Sequence, residues 1–311
     1  MTETLRIAYR DHDRTPLLYV IKSQAAQFED LDLMIQHVPG GEDYRNGFLN
    51  GNSDLVCEHL RFLFPARLKG HLVRCLAATQ IRAIDRFVAS PSIRSVEDIK
   101  GKTVAVRENE SSQITLKYWL KSLGLADQVK VKVYADKDVG RWEQWRKVTS
   151  GDADIALCSP LYLKAPLQAG LHQVDVPALP IIGPLFFATR EPVIRQNEEA
   201  IRRFMRALYR AVYVFRNDRQ QTISIMAKGP AQLMGLMDEK AIEEQYEVFR
   251  DSTAERPIPL PESILNTFHM VQEAYDVAAL NPLTLWDLRY AIELEEQKFM
   301  ESLAAATAPA K

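Results

Sequence analysis

The sequence predicts an α/β protein of two similar domains around a ligand cleft, with extra helices at the C-terminal end. Three observations predict it. Gly51-Asn52-Ser53-Asp54-Leu55-Val56-Cys57-Glu58-His59, running on to Gly70, matches Gly151-Asp152-Ala153-Asp154-Ile155-Ala156-Leu157-Cys158-Ser159, running on to Gly170. The first half of the chain alternates strand-like and helix-like segments. Two apolar segments, 87–89 and 185–189, are placed to carry the chain out of one domain and back. Each repeat copy reads as a turn glycine, a strand entered through Asp and a polar strand exit. Strand exits are where open α/β sheets hold ligands.

The elements follow in order. Leu5–Tyr9 reads as a first strand, and Thr15 with Pro16 starts a helix carrying Leu17, Leu18, Ile21 and Phe28. Residues 31–38 alternate as a strand, 43–49 read as a helix, and 71–79 as β-rich after the first repeat copy. Beyond the first crossing come a strand at 103–106, a helix from 111 to 123 and a strand at 129–134. A helix holding Trp142 and Trp145 leads into the second copy. After the second crossing, helices are expected at 197–215, 241–249, 262–278 and 284–299, with a frayed tail from 304. The domains predicted are thus 1–88 with 187–311, and an inserted 89–186. Two crossings make a hinge that closes over a ligand.

Bulk properties narrow the function. The chain is 311 residues, 47% apolar and 26% charged, which suits two globular domains. A net charge of −2 gives no basic field, so no nucleic-acid partner is expected. Arg202, Arg203, Arg206 and Arg210 share one helix face and read as a solvated stripe. No apolar run reaches the ~20 residues that span a bilayer, so no membrane insertion is expected. No basic or apolar leader precedes the first strand, which places the protein in the cytoplasm, or in the periplasm if a signal peptide stood upstream. Three cysteines favour free thiols over disulfides. No Cys/His spacing suits zinc, so neither metal nor cofactor is assigned, and a divalent ion in an acidic cleft stays open. A homo-oligomer is also left open.

Candidate site residues cluster at the strand exits. Asp11, His12, Asp13, Arg14 and Thr15 follow the first strand, where a helix start favours an anion. Arg14 can clamp a carboxylate and His12 can move a proton near neutrality. The competing reading makes Asp13 or Thr15 a helix cap and pairs Arg14 with Asp11. Glu58 and His59 close the first repeat strand, and a cleft carboxylate can be tuned into an acid or base, or simply pair with a nearby Arg. Arg82 stands at the hinge as a second clamp or an ordinary ion pair. In the second domain Glu108, Ser111 and Ser112 open a helix, and Cys158 and Ser159 end the second repeat strand. Cys158 as a nucleophile would need a depressed pKa.

Strand, capped helix, Gly-x-x-Asp strand, Asp98-Ile99-Lys100-Gly101-Lys102-x-Val104-Ala105-Val106 and the long helix after the second crossing together resemble the type II periplasmic-binding-protein fold. The branch resembled is that of sulfonate, nitrate and thiamine-precursor binding proteins. Asp11-His12-Asp13-Arg14-Thr15 resembles the Asp-x-Asp-Arg-Thr of 4,5-dihydroxyphthalate decarboxylases, with Glu58, Arg82 and Glu108 at matching places. His12 stands where Tyr is more typical, and the following Pro sits one place early. That likeness implies a cytosolic, cofactor-independent decarboxylase or related lyase of aromatic catabolism, acting on a small aromatic or cyclic carboxylate. Arg14 and Arg82 would hold carboxylates, the Ser111-Ser112 helix start would anchor an anionic group, Glu58 would take a ring-hydroxyl proton and His12 would protonate carbon. The alternative is a solute-binding protein that delivers a small organic anion to the permease of an ABC transporter.

Overall fold

The computed structural model describes residues 3–58 and 60–307. In chain order the first elements are β1 (Glu3–Tyr9), α1 (Thr15–Phe28), β2 (Leu31–His37), α2 (Gly41–Asn50), β3 (Leu55–Cys57), α3 (Leu63–Leu68) and β4 (Val73–Ala78). Next come β5 (Arg86–Ala89), β6 (Thr103–Arg107), α4 (Glu110–Ser122), β7 (Lys130–Tyr134), α5 (Asp136–Val139), α6 (Arg146–Thr149), β8 (Ile155–Cys158), α7 (Lys164–Gln168) and β9 (His172–Gln173). The chain ends with β10 (Phe186–Arg190), α8 (Glu191–Gln196), α9 (Glu198–Asn217), α10 (Arg219–Ala227), α11 (Pro230–Leu233), α12 (Glu239–Ser252), α13 (Pro261–Gln272), α14 (Arg289–Glu296) and α15 (Phe299–Thr307).

Two five-stranded sheets share one plan. Their orders are β2-β1-β3-β10-β4 and β7-β6-β8-β5-β9. In each, the Gly-x-x-Asp strand, β3 or β8, is the central strand, parallel to β1 or β6 and antiparallel to a crossing strand, β10 or β5. The repeated Asp explains why the plan recurs. Asp54 Oδ2 accepts the Arg6 N–H at 2.9 Å, and Asp154 Oδ2 accepts the Thr103 N–H at 2.7 Å. The backbone N–H of each Asp returns to the carbonyl of the same residue, at 2.9 Å in both copies. Gly51 and Gly151 precede them at φ +96° and +79°, where a side chain would be strained.

The chain forms two compact units, 1–81 with 182–265 and 277–311, and 82–181 with 266–276. This differs from the sequence reading in three places, one being residues 182–186, which are expected in the second domain and fall in the first unit. β5 pairs with β8 and β9, so residues 86–88 belong to the second sheet. Residues 266–276 pack with the second unit because Met270 joins its apolar core, Asn266 donates to the Pro180 carbonyl at 3.0 Å, and Glu273 pairs with Lys117 and Lys121. That core is built on Phe87, Val104, Val106, Ile155 and Trp119.

In the first unit, α9 turns Ile201, Phe204, Leu208 and Val212 inward at helical spacing. Its basic stripe is not left to solvent: Arg206 and Arg210 reach the buried Glu29 at 2.6 and 3.5 Å. Two helix expectations also change. Trp142 lies in a turn at φ +65°, outside any helix. The segment from 284 ends a 3-10 turn, Pro282–Leu285, and is not α-helical until α14, because Trp286 runs extended beside Cys75 and the Asp287 N–H donates to the Cys75 carbonyl at 2.9 Å. That segment covers part of edge strand β4, which would otherwise present unpaired backbone groups. Among the described residues no helix is long and apolar enough to cross a membrane.

Candidate functional site

In the first unit β1, β2 and β3 are parallel, so Tyr9, His37 and Cys57 end at one edge of the sheet. The loop after β1 closes into a 3-10 turn, His12–Arg14, and then α1. Neither Asp13 nor Thr15 caps α1 with its side chain; the Thr15 hydroxyl donates to the His12 carbonyl instead, at 2.5 Å. Arg14 is only 9% exposed and pairs with Asp13 at 3.0 Å and Glu58 at 3.4 Å. Burial works against the charged guanidinium, and the surrounding carboxylates Asp13, Glu58 and Asp11 overcome it and raise its pKa.

Glu58 is the centre of this edge. It is buried and sits at φ +99°, a region that bulky residues occupy only when their surroundings force them. Its Oε1 accepts the Asp11 N–H at 3.1 Å and the Arg10 N–H at 3.4 Å. The anion position at the end of β1 is therefore filled by the chain's own carboxylate. One oxygen each from Asp11, Asp13 and Glu58 lies within 4.8 Å of the others, with the Arg14 guanidinium beside them. From α2, the buried Tyr44 hydroxyl donates to the Cys57 carbonyl at 2.6 Å and pins the end of β3.

Rings cover the same edge. Tyr9 stacks on His37 at 5.1 Å between centroids, and His12 lies 4.2 Å from His37. His37 Nε2 donates to the Arg10 carbonyl at 2.8 Å. His12 Nδ1 meets the Tyr9 hydroxyl at 3.2 Å. Burial, then the neighbouring His37, lower the His12 pKa while Asp11 works the other way. Burial likewise pushes the Tyr9 hydroxyl up to about 12. A neutral His12 accepting from Tyr9 fits both. His59 lies outside the described residues.

In the second unit β6, β7 and β8 are parallel to one another or to a shared neighbour, and end together at Arg107, Tyr134 and Cys158. Arg107 binds Asp136 with two hydrogen bonds, one of 2.6 Å, which holds the Asp136 carboxyl below its usual range. The same guanidinium lies 4.8 Å over Trp142, whose ring stacks on the half-exposed Tyr162 at 5.5 Å and 14°. At the start of α4 the Asn109 side chain accepts the Ser112 N–H at 3.2 Å, so that donor is already used. Ser112 is buried, while Ser111 and Glu108 are exposed.

Cys158 is 1% exposed, and burial with the nearby Asp85 drives its thiol pKa up, which leaves it inert. Ser159 is buried and its carbonyl receives the Tyr162 N–H at 3.0 Å. Arg82 is exposed at the start of the second unit. Sequence reasoning missed Tyr44, His37 and the Arg107–Trp142–Tyr162 stack. Only Arg107, at the end of a predicted strand, carried a local signal.

A family model described as "NMT1/THI5 like" matches residues 27–222. Among solved structures, a periplasmic sulfonate-binding protein, SsuA, from Methylobacillus flagellatus KT superposes with TM-score 0.67 at 15% identity, covering 95% of each chain. The periplasmic aliphatic sulphonate binding protein SsuA of Escherichia coli gives 0.62 at 18% identity, covering 90% of this chain and 89% of that one. The ligand binding component of an ABC-type import system from Staphylococcus aureus gives 0.61 at 9% identity, covering 94% and 98%. Among curated proteins, no sequence matches. The fold is therefore that of type II periplasmic binding proteins, as the Gly-x-x-Asp repeat and the Asp98-Ile99-Lys100-Gly101-Lys102 element imply.

The expectation of a cytoplasmic decarboxylase is corrected. These structural relatives are described as binding proteins and an importer's ligand-binding component, none as a decarboxylase. The Asp11–Thr15 likeness was a five-residue match at a loop. In this structure that loop's carboxylates surround Arg14 rather than leave it open for a substrate carboxylate. The proton-transfer roles drawn for Glu58 and His12 fall with the decarboxylase.

Proposed function

This chain belongs to the NMT1/THI5-like family, and on that footing we propose that it is a solute-binding protein that holds a small organic anion for an ABC importer. The placement that goes with this role is the periplasm or the outer face of a membrane. The observation that carries the reading is Glu58. Its carboxylate is held by two backbone N–H groups and by Arg14, in a strained backbone that packing keeps in place. Such a group forms a rigid recognition frame, and preorganised frames cut the ordering cost of binding.

Each strand edge brings its own chemistry. The edge of the first unit carries Asp11, Asp13 and Glu58 against Arg10 and Arg14, and accepts hydrogen bonds from hydroxyl or amino groups of a solute. The edge of the second unit carries the start of α4, with exposed Ser111, beside the Arg107–Trp142–Tyr162 stack. A helix start favours an anionic group and the open face of Tyr162 suits a flat body.

The test is a ligand panel of alkyl and aryl sulfonates, aromatic carboxylates and small nitrogen heterocycles, read by calorimetry with the solute recovered and weighed by mass spectrometry. The expected result is saturable one-to-one binding with the solute returned unchanged, weakened about tenfold or more by Tyr162→Ala. Release of a chemically altered solute, or no binding across the panel, would overturn the proposal.

A further inference from the structure

A cavity in the first unit lies away from the edge just described. It has a volume of about 600 Å³ and is lined by Arg74, Glu191, Arg195, Trp286, Asp287 and Arg289, with Ile194 and Thr284 completing it. Arg74 is the second residue of β4, and β4 runs parallel to β3 because both are antiparallel to β10. The cavity therefore sits where β4 begins and β10 ends, at the opposite edge of the sheet from Tyr9 and Cys57.

Its electrostatics are one-sided. Three guanidinium groups line it against two carboxylates. Glu191 is shared by Arg74 at 2.6 Å, Arg195 at 3.1 Å and Arg67 at 3.8 Å. Asp287 is held by Arg289 at 3.2 Å. Each carboxylate is thus already engaged, while Arg195 and Arg289, with side chains 73% and 54% exposed, keep donors to spare. A second observation points the same way. Trp286 is only 9% exposed, and its buried Nε1–H meets no acceptor among the described residues. An indole nitrogen is a donor only, and buried donors without acceptors are rare because their lost hydration goes uncompensated.

We propose that this cavity is a second ligand site, which takes a phosphate, sulfonate or carboxylate group of a small molecule between Arg74, Arg195 and Arg289 and beside the Trp286 indole. Oxygen acceptors of such a group satisfy the guanidinium forks, and a small shift of the indole brings its N–H to the same group. Ile194 and the Trp286 ring face the organic body. The site is independent of the solute held at the strand exits and does not rest on that assignment.

The experiment follows the Trp286 indole resonance in nitrogen-15-labelled protein, assigned with Trp286→Phe, while inorganic phosphate and then phenyl phosphate are titrated at constant ionic strength. The expected result is a saturable shift of that resonance, tighter for phenyl phosphate. In the double variant Arg195→Gln/Arg289→Gln, whose exposed side chains leave the fold intact, the affinity drops about tenfold or more. An unmoved resonance, the same shift with chloride alone, or an unchanged affinity in the double variant would each overturn the site.

Discussion

Glu58 and Arg14 show how a buried charge pair fixes a loop. Removing one partner of such a pair costs more than the pair is worth, because the other charge stays buried. Glu58→Ala leaves Arg14 with Asp13 and strips the Arg10 and Asp11 N–H groups of their acceptor, so it should destabilise by about 3 kcal/mol in urea unfolding. Combined with Arg14→Met, the loss should fall short of the two single losses together by about 1 kcal/mol or more. His12 sets a pH dependence. Burial, and then His37, depress its folded value, so between that value and the unfolded ~6.5 the folded state binds fewer protons. Stability is undiminished above about pH 6.5 and declines as pH falls through it. Melting temperatures should therefore drop less on acidification in His12→Asn; an identical decline would exclude His12 as the source.

At the scale of elements, the Gly-x-x-Asp strand is a building block used twice. Asp54 and Asp154 each tie a strand start to the backbone of the neighbouring parallel strand, β1 or β6, and changing either to Asn should cost about 1–3 kcal/mol. For Asp54 burial pushes the carboxyl up, but the hydrogen bonds and charge of Arg6 prevail and hold it below its ordinary value. Its contribution is present above the unfolded value and is lost as pH falls through the folded one, so Asp54→Asn should flatten the acid limb of the stability curve.

These two strands were legible because their chemistry is local: Gly, Asp and an apolar run sit within nine residues. The site was less so. The left-handed backbone of Glu58 is imposed by partners 47 and 48 positions away, Asp11 and Arg10. The Arg107–Trp142–Tyr162 stack is assembled from three separate segments, the end of β6, a turn and the 3-10 turn after β8, and Trp142 leaves its expected helix to join it. The asymmetry between the repeat exits was visible in sequence, with Glu58 read as an acid or base and Cys158 as a substrate contact. Burial and hydrogen bonding make one a structural anchor and the other an inert thiol.

At the scale of the molecule, a solute that binds only the folded chain raises its stability by mass action, by about 2.7 kcal/mol at a hundredfold excess over Kd. The true solute should therefore be the one whose melting shift grows with the logarithm of its concentration; a shift that stops at the first addition would point to a nonspecific effect. The three free cysteines lend themselves to a different kind of experiment. Cys57 and Cys75 lie in strands of one sheet and Cys158 in a strand of the other, all fully enclosed. An alkylating reagent can reach each thiol only while its own strand has come away from its neighbours. Timed alkylation followed by peptide mapping then makes the cysteines two native clocks, one per sheet, which report without any introduced label which half of the protein opens first.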